Sequence, residues 1–195
     1  MKITKKILSE KQIQERIIKL ASEINSDYEG KNLIILGVLK GAFIAISDLA
    51  KNLNIDVSFE FMSISSYEGS ESTGQIKIEK DLDIDISGKN ILIVEDIFDT
   101  GLTLSSLIDI LESRNPESIE IMCMFVKSIE KKNQVKIKYK GFEIGAEFVV
   151  GYGLDYKELG RNLKEVYQLN HKHMINLVLF GKPGAGKGTQ AEFLK

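Results

Sequence analysis

Three carboxylates and a glycine-bearing turn stand in one short stretch of this 195-residue chain: Glu95, Asp96 and Asp99, then Thr100, Gly101, Leu102 and Thr103. Side-chain carboxylates can take the hydroxyls of a sugar, help to hold a divalent cation, or accept a proton. The Thr-Gly-Leu-Thr turn opens a helical pattern, so its backbone N–H groups and a helix N-terminus converge on one point, a natural seat for a phosphate. The two halves conflict, because carboxylates repel a bare phosphate. A sugar phosphate removes the conflict: Glu95 and Asp96 take vicinal ribose hydroxyls, directly or through Mg²⁺, while the turn holds the phosphate.

An unbroken apolar run, Ile91 to Val94, leads into these carboxylates. Short apolar runs of this kind read as strands buried on both faces. Such strands belong to parallel sheets, and parallel sheets bind ligands at the carboxyl edge of their strands. The pattern therefore predicts an α/β fold with the chemistry at one sheet edge.

The string Val-Glu-Asp-Ile-x-Asp-Thr-Gly, from Val94 to Gly101, resembles the phosphoribosyl-pyrophosphate motif of type I phosphoribosyltransferases, and within them the hypoxanthine-guanine branch. The resemblance covers residues 1–170. It implies a type I phosphoribosyltransferase fold: a five-stranded parallel sheet flanked by helices, a small hood built from the first residues and the segment after Phe148, and a mobile lid loop. It implies a Mg²⁺-dependent transfer from phosphoribosyl pyrophosphate to a purine base, with Asp99 as general base, in a homodimer or homotetramer.

The rest of the chain supplies matching parts. Ser9-Glu-Lys-Gln12 is a capping box, and Ile13, Ile17, Ala21 and Ile24 recur on one helical face after it. Leu33 to Val38 reads as a second buried strand, and a helix with Ala42, Ile46, Leu49 and Leu53 inward follows the turn Leu39-Lys40-Gly41. That turn resembles the family's pyrophosphate loop, whose backbone N–H groups hold the leaving group, with a non-proline cis peptide at Leu39–Lys40. Ile55 to Ser63 alternates as a strand. The polar, glycine-rich segment Ser65 to Gly74 then matches the lid, with Ser66 and Tyr67 in the place of its Ser-Tyr pair, and Gln75 to Glu79 continues a hairpin.

Leu104, Leu107, Ile108 and Leu111 mark the helix after the central turn, and Ser118 to Val126 is a further strand with Lys127 at its end. The family's matching lysine donates to the purine O6, which an ammonium can do to a carbonyl but not to an amino group. Phe148-Val149 and Asp155 resemble the base-binding segment: Phe148 stacks on the purine, the Val149 backbone reads its edge, and Asp155 meets a second Mg²⁺ and pyrophosphate. Arg161 matches an arginine that contacts pyrophosphate.

A net charge of −2 and pI near 5.8 give no basic face for a nucleic acid, and no apolar run is long enough for a membrane span. A single cysteine, Cys123, allows no internal disulfide and suits a reducing cytoplasm.

The composition breaks after Leu169. Residues 171–173 read as a polar linker, and 174–195 begin a fresh strand and the loop Gly181-Lys-Pro-Gly-Ala-Gly186-Lys187-Gly188-Thr189. With Gly188 in the usual Ser/Thr place, the loop resembles the P-loop of adenylate kinases. About twenty residues cannot bury a core of their own. Three rival readings follow. The chain is a fragment of a transferase–adenylate kinase fusion, it is a kinase by its P-loop, which would need the remainder of that domain, or it is an RNA-binding regulator of the same fold that senses phosphoribosyl pyrophosphate. The acidic pI and the presence of both Asp99 and Lys127 speak against the regulator.

Overall fold

The Ser9 hydroxyl accepts from the Gln12 N–H while the Gln12 side chain reaches back to the Ser9 N–H, so the capping box forms as the spacing predicts. The computed structural model describes residues 3–66, 76–128 and 135–170. In chain order these give β1 (Ile3–Leu8), α1 (Glu10–Asp27), β2 (Leu33–Leu39), α2 (Phe43–Ala50), β3 (Val57–Ser66), β4 (Ile76–Lys80), β5 (Asn90–Phe98), α3 (Leu102–Glu112), β6 (Ser118–Lys127), β7 (Tyr139–Ile144), β8 (Val149–Val150) and β9 (Val166–Leu169).

The main sheet has the order β4-β3-β2-β5-β6-β7. Five neighbours, β3-β2-β5-β6-β7, run parallel as expected, and β4 adds an antiparallel edge that the sequence shows only as a hairpin return. Strand β7 carries no apolar run and its pattern is not visible in the sequence; it is placed by pairing with β6. The predicted helix after Gly41 ends at Ala50, and Leu53 packs on the core from the turn beyond it.

Pleating sorts the strand residues onto two cores. Leu92 and Val94 join Ile13, Ile17, Ile24 and Leu49 on the α1/α2 face, whereas Ile91 and Ile93 join Leu104, Leu107 and Leu111 on the α3 face. From β2 the chain winds outward to β3, and from β5 it winds the other way to β6. The strand order therefore reverses between β2 and β5, and the loops that leave their carboxyl ends diverge around a crevice.

Beside that edge, β1, β9 and β8 form a three-stranded antiparallel sheet. It is the hood expected from the first residues and the segment after Phe148. Tyr152 fastens it: its ring meets Phe125 of β6 edge-on with centroids 6.2 Å apart, and its hydroxyl donates to Asp48 Oδ2 at 3.0 Å. No helix among the described residues is long and apolar enough to cross a membrane.

Phe125 is fully buried and also stacks on Phe142, so it joins sheet and hood. Phe125→Ala is expected to lower unfolding free energy by about 3–5 kcal/mol, measured by urea titration. A loss under 1 kcal/mol would show that the hood is not held this way.

Candidate active site

The carboxyl end of β5 divides the site into two cavities. Successive side chains of a strand point to opposite faces, so Glu95 turns toward α3 and Asp96 toward α2 and the hood. On the α3 side a cavity of about 130 Å³ is lined by Glu95, Ile97, Asp99, Thr100, Gly101 and Thr103. Helix α3 starts there with no side-chain cap and no acidic residue in its first turn. The start of a helix without a capping side chain offers N–H donors to an anion. Gly101 has φ +79°, and a Cβ would meet the Phe98 ring at 2.7 Å, so both conformation and space require glycine.

On the other side a cavity of about 210 Å³ is lined by Asp96, Asp99, Lys127, Phe148, Val149 and Asp155. Lys127 and Asp99 end neighbouring strands and meet as an ion pair, Nζ to Oδ2, at 2.9 Å. Phe148 packs edge-on against Tyr156 at 5.8 Å and keeps 39% of its surface exposed, enough to offer a flat apolar platform. Ile97 and Asp99 line both cavities.

The turn after β2 closes one wall. The Leu39–Lys40 peptide is cis. Gly41 lies so close to Asp96 that a Cβ would overlap its carboxylate, and a Cβ on Gly153 would overlap the Gly41 carbonyl. Gly41 is thus pressed between a strand-end carboxylate and the backbone of the hood. Arg161 holds the hood side, donating to the Gly153 carbonyl at 2.8 Å and pairing with Asp155 at 2.7 Å. Its Nε is buried and lacks an acceptor among the described residues, an orphaned donor that suits an oxygen-rich ligand.

Burial, and then the charge of Asp96, push the Glu95 carboxyl well above the usual range. Burial also raises Asp96, with Arg161 pulling it down and Asp155 pushing it up. For both carboxyls burial disfavours the ionised form, a cost that a nearby cation would offset. Hard carboxylate oxygens facing open cavities suit Mg²⁺, which commonly takes one or two carboxylates and completes its shell with water and substrate oxygens. Asp96 and Asp155 share a cavity and fit such an ion together; Glu95 reaches the strand end from the other face.

The sequence places Asp99, Thr100, Gly101, Thr103, Lys127, Phe148, Val149 and Asp155 at the site, and the fold gathers all of them at one edge. Adjacency in sequence had suggested that Glu95 and Asp96 act side by side; the pleat sets them on opposite faces, at the rims of the two cavities. Ser66 closes β3, while Tyr67 of the expected lid and the residues Gly181, Gly186, Lys187, Gly188 and Thr189 lie outside the described residues. Gly153, Glu158 and the Tyr152–Asp48 bond are additions. The spacing of Asp155, Glu158 and Arg161 carried a signal for a charged turn, but nothing local shows that it reaches Lys40.

Residues 4–157 match the family model of the phosphoribosyl transferase domain. A hypoxanthine-guanine phosphoribosyltransferase of Staphylococcus aureus is 46% identical over 158 residues, covering 80% of this chain and 88% of that protein. The Dictyostelium discoideum enzyme of the same name is 45% identical over 172 residues, covering 85% and 95%. Among solved structures, the S. aureus hypoxanthine phosphoribosyltransferase superposes with a TM-score of 0.83 at 43% identity, covering 86% of this chain and 91% of that one.

Proposed function

This chain belongs to the phosphoribosyltransferase family, in its hypoxanthine-guanine branch, and we propose from that premise how its residues make a purine nucleotide. The reaction joins hypoxanthine or guanine to phosphoribosyl pyrophosphate and yields IMP or GMP plus pyrophosphate. The observation that carries the assignment is the Lys127–Asp99 pair at 2.9 Å in the wall of the cavity beside Phe148. A 6-oxopurine presents a carbonyl O6 next to N7–H on one edge. That edge meets an ammonium and a carboxylate in matching order, a donor for O6 and an acceptor for N7–H.

The purine stacks on Phe148, with the Val149 backbone at its edge. The 5′-phosphate lies in the other cavity on the N–H groups of Thr100, Gly101, Leu102 and Thr103, helped by the threonine hydroxyls. The ribose spans the strand end, with Asp96 and Glu95 at its hydroxyls. As N9 bonds to C1′ and the bond from C1′ to the pyrophosphate oxygen breaks, Asp99 takes the N7 proton. Negative charge grows on the leaving group, where the N–H groups of Lys40 and Gly41 and the guanidinium of Arg161 receive it. Asp96 and Asp155, which line one cavity, would hold a Mg²⁺ ion with Glu95 at the far rim of the strand end, and the ion would supply Lewis-acid neutralisation of the pyrophosphate. Ser66 and Tyr67 belong to a lid that excludes water from the sugar.

We assign residues 1–170 to this cytoplasmic, homo-oligomeric transferase, 171–173 to a linker, and 174–195 to the start of an adenylate kinase-like P-loop segment. The Gly-Lys-Gly-Thr-Gln string supports that last assignment.

The transferase assignment is tested by nucleotide formation against a panel of purine bases; failure to convert both hypoxanthine and guanine would sink it. Asp99→Asn should fold normally and lose about 10²–10⁴-fold in kcat. Lys127→Ala should raise KM for hypoxanthine about tenfold or more while changing that for phosphoribosyl pyrophosphate less. Equal losses for both substrates would move Lys127 out of the base site.

A further inference from the structure

The hood turn Tyr156–Leu159 is closed by reciprocal backbone bonds between its end residues, at 2.9 and 3.1 Å. Its two central residues, Lys157 and Glu158, have φ +54° and +65°. Two left-handed residues in a two-residue loop make the turn type that Asn and Gly favour, and long side chains are uncommon there. The turn is held in place, since the Glu158 N–H donates to Asp155 Oδ2 at 2.8 Å. Its effect is to carry the Glu158 carboxylate across to the loop after β2.

There Glu158 meets two cations with its two oxygens: Oε2 lies 2.8 Å from Lys40 Nζ, and Oε1 lies 3.9 Å from Arg161 Nη2. Lys40 stands at the cis peptide of the leaving-group loop, and Arg161 contacts Gly153, which packs on Gly41. Glu158 therefore sits as an anion on the loop and the arginine that take pyrophosphate in the reading above. Both Lys40 and Glu158 are largely exposed, so the bond is weak and easily exchanged for a stronger anion.

We propose that Glu158 is an internal competitor for the leaving group: in the free enzyme its carboxylate holds the Lys40 ammonium and stands 3.9 Å from Arg161, it yields to phosphoribosyl pyrophosphate, whose pyrophosphate takes up that ammonium in addition to the loop N–H groups, and it returns as pyrophosphate departs. It is a positioning residue, acting on the substrate through Lys40 and Arg161. The inference rests on the assignment of these groups to pyrophosphate, and it identifies a carboxylate that weakens pyrophosphate binding and speeds its release.

Glu158→Gln keeps the length and shape of the side chain and removes its charge. Calorimetric titration with inorganic pyrophosphate and MgCl₂ should show about two- to five-fold tighter binding in this variant than in the unaltered chain, the range set by the strength of an exposed pair. KM for phosphoribosyl pyrophosphate should fall by a similar factor, with KM for hypoxanthine unmoved; a merely structural role would not give that split. Binding of pyrophosphate by both proteins with equal or weaker affinity in the variant overturns the proposal and leaves the transferase reading intact. Weaker binding would instead mark Glu158 as a ligand of the metal. Absence of pyrophosphate binding in both proteins overturns the proposal together with the site assignment beneath it.

Discussion

Everything at this site depends on how closely Gly41 approaches Asp96. The loop after β2 has to lie against a strand-end carboxylate on one side and against the hood at Gly153 on the other, and only a residue without a side chain fits the gap. That contact brings together three parts that have no sequence proximity: the turn after the second strand, the acidic end of the central strand, and the hood. Once Gly41 is seated, the loop lies beside Asp96 and against the hood backbone at Gly153, whose carbonyl accepts from Arg161. The fold supplies the setting, since the reversal of strand order between β2 and β5 opens the crevice into which the loop folds.

Charge is distributed in the same spirit. Glu95 and Asp96 are held on a strand end where burial penalises ionisation, an arrangement that would weaken a structure with no use for it. Each remaining cation of the site is already engaged with an acid: Lys127 with Asp99, Arg161 with Asp155, Lys40 with Glu158. The site is thus a set of paired opposites beside two buried acids, and each cation has a partner that a bound anion can replace.

Much of this was legible in the sequence, for reasons that can be named. The strand β5 and helix α3 announce themselves because a doubly buried strand must be apolar throughout and a helix on its face must repeat at helical spacing. Gly101 is readable because the turn needs φ near +79°. Strand β7 is silent because its side chains alternate among buried, half-buried and exposed surroundings without a clean period. The separation of Glu95 from Asp96 follows from the pleat, yet neighbours in sequence suggest neighbours in space. The link from Glu158 to Lys40 spans 118 positions and is made only when hood and sheet are assembled, so no local pattern could carry it.

The two cavities share a wall made by Ile97 and the side chain of Asp99. That wall belongs to the last residues of β5 and the turn into α3, so a ligand that reaches both cavities has to cross the strand end itself. The gap between its two ends is then set by the main chain, and a side-chain substitution in either cavity changes what is gripped there without changing how far apart the grips stand.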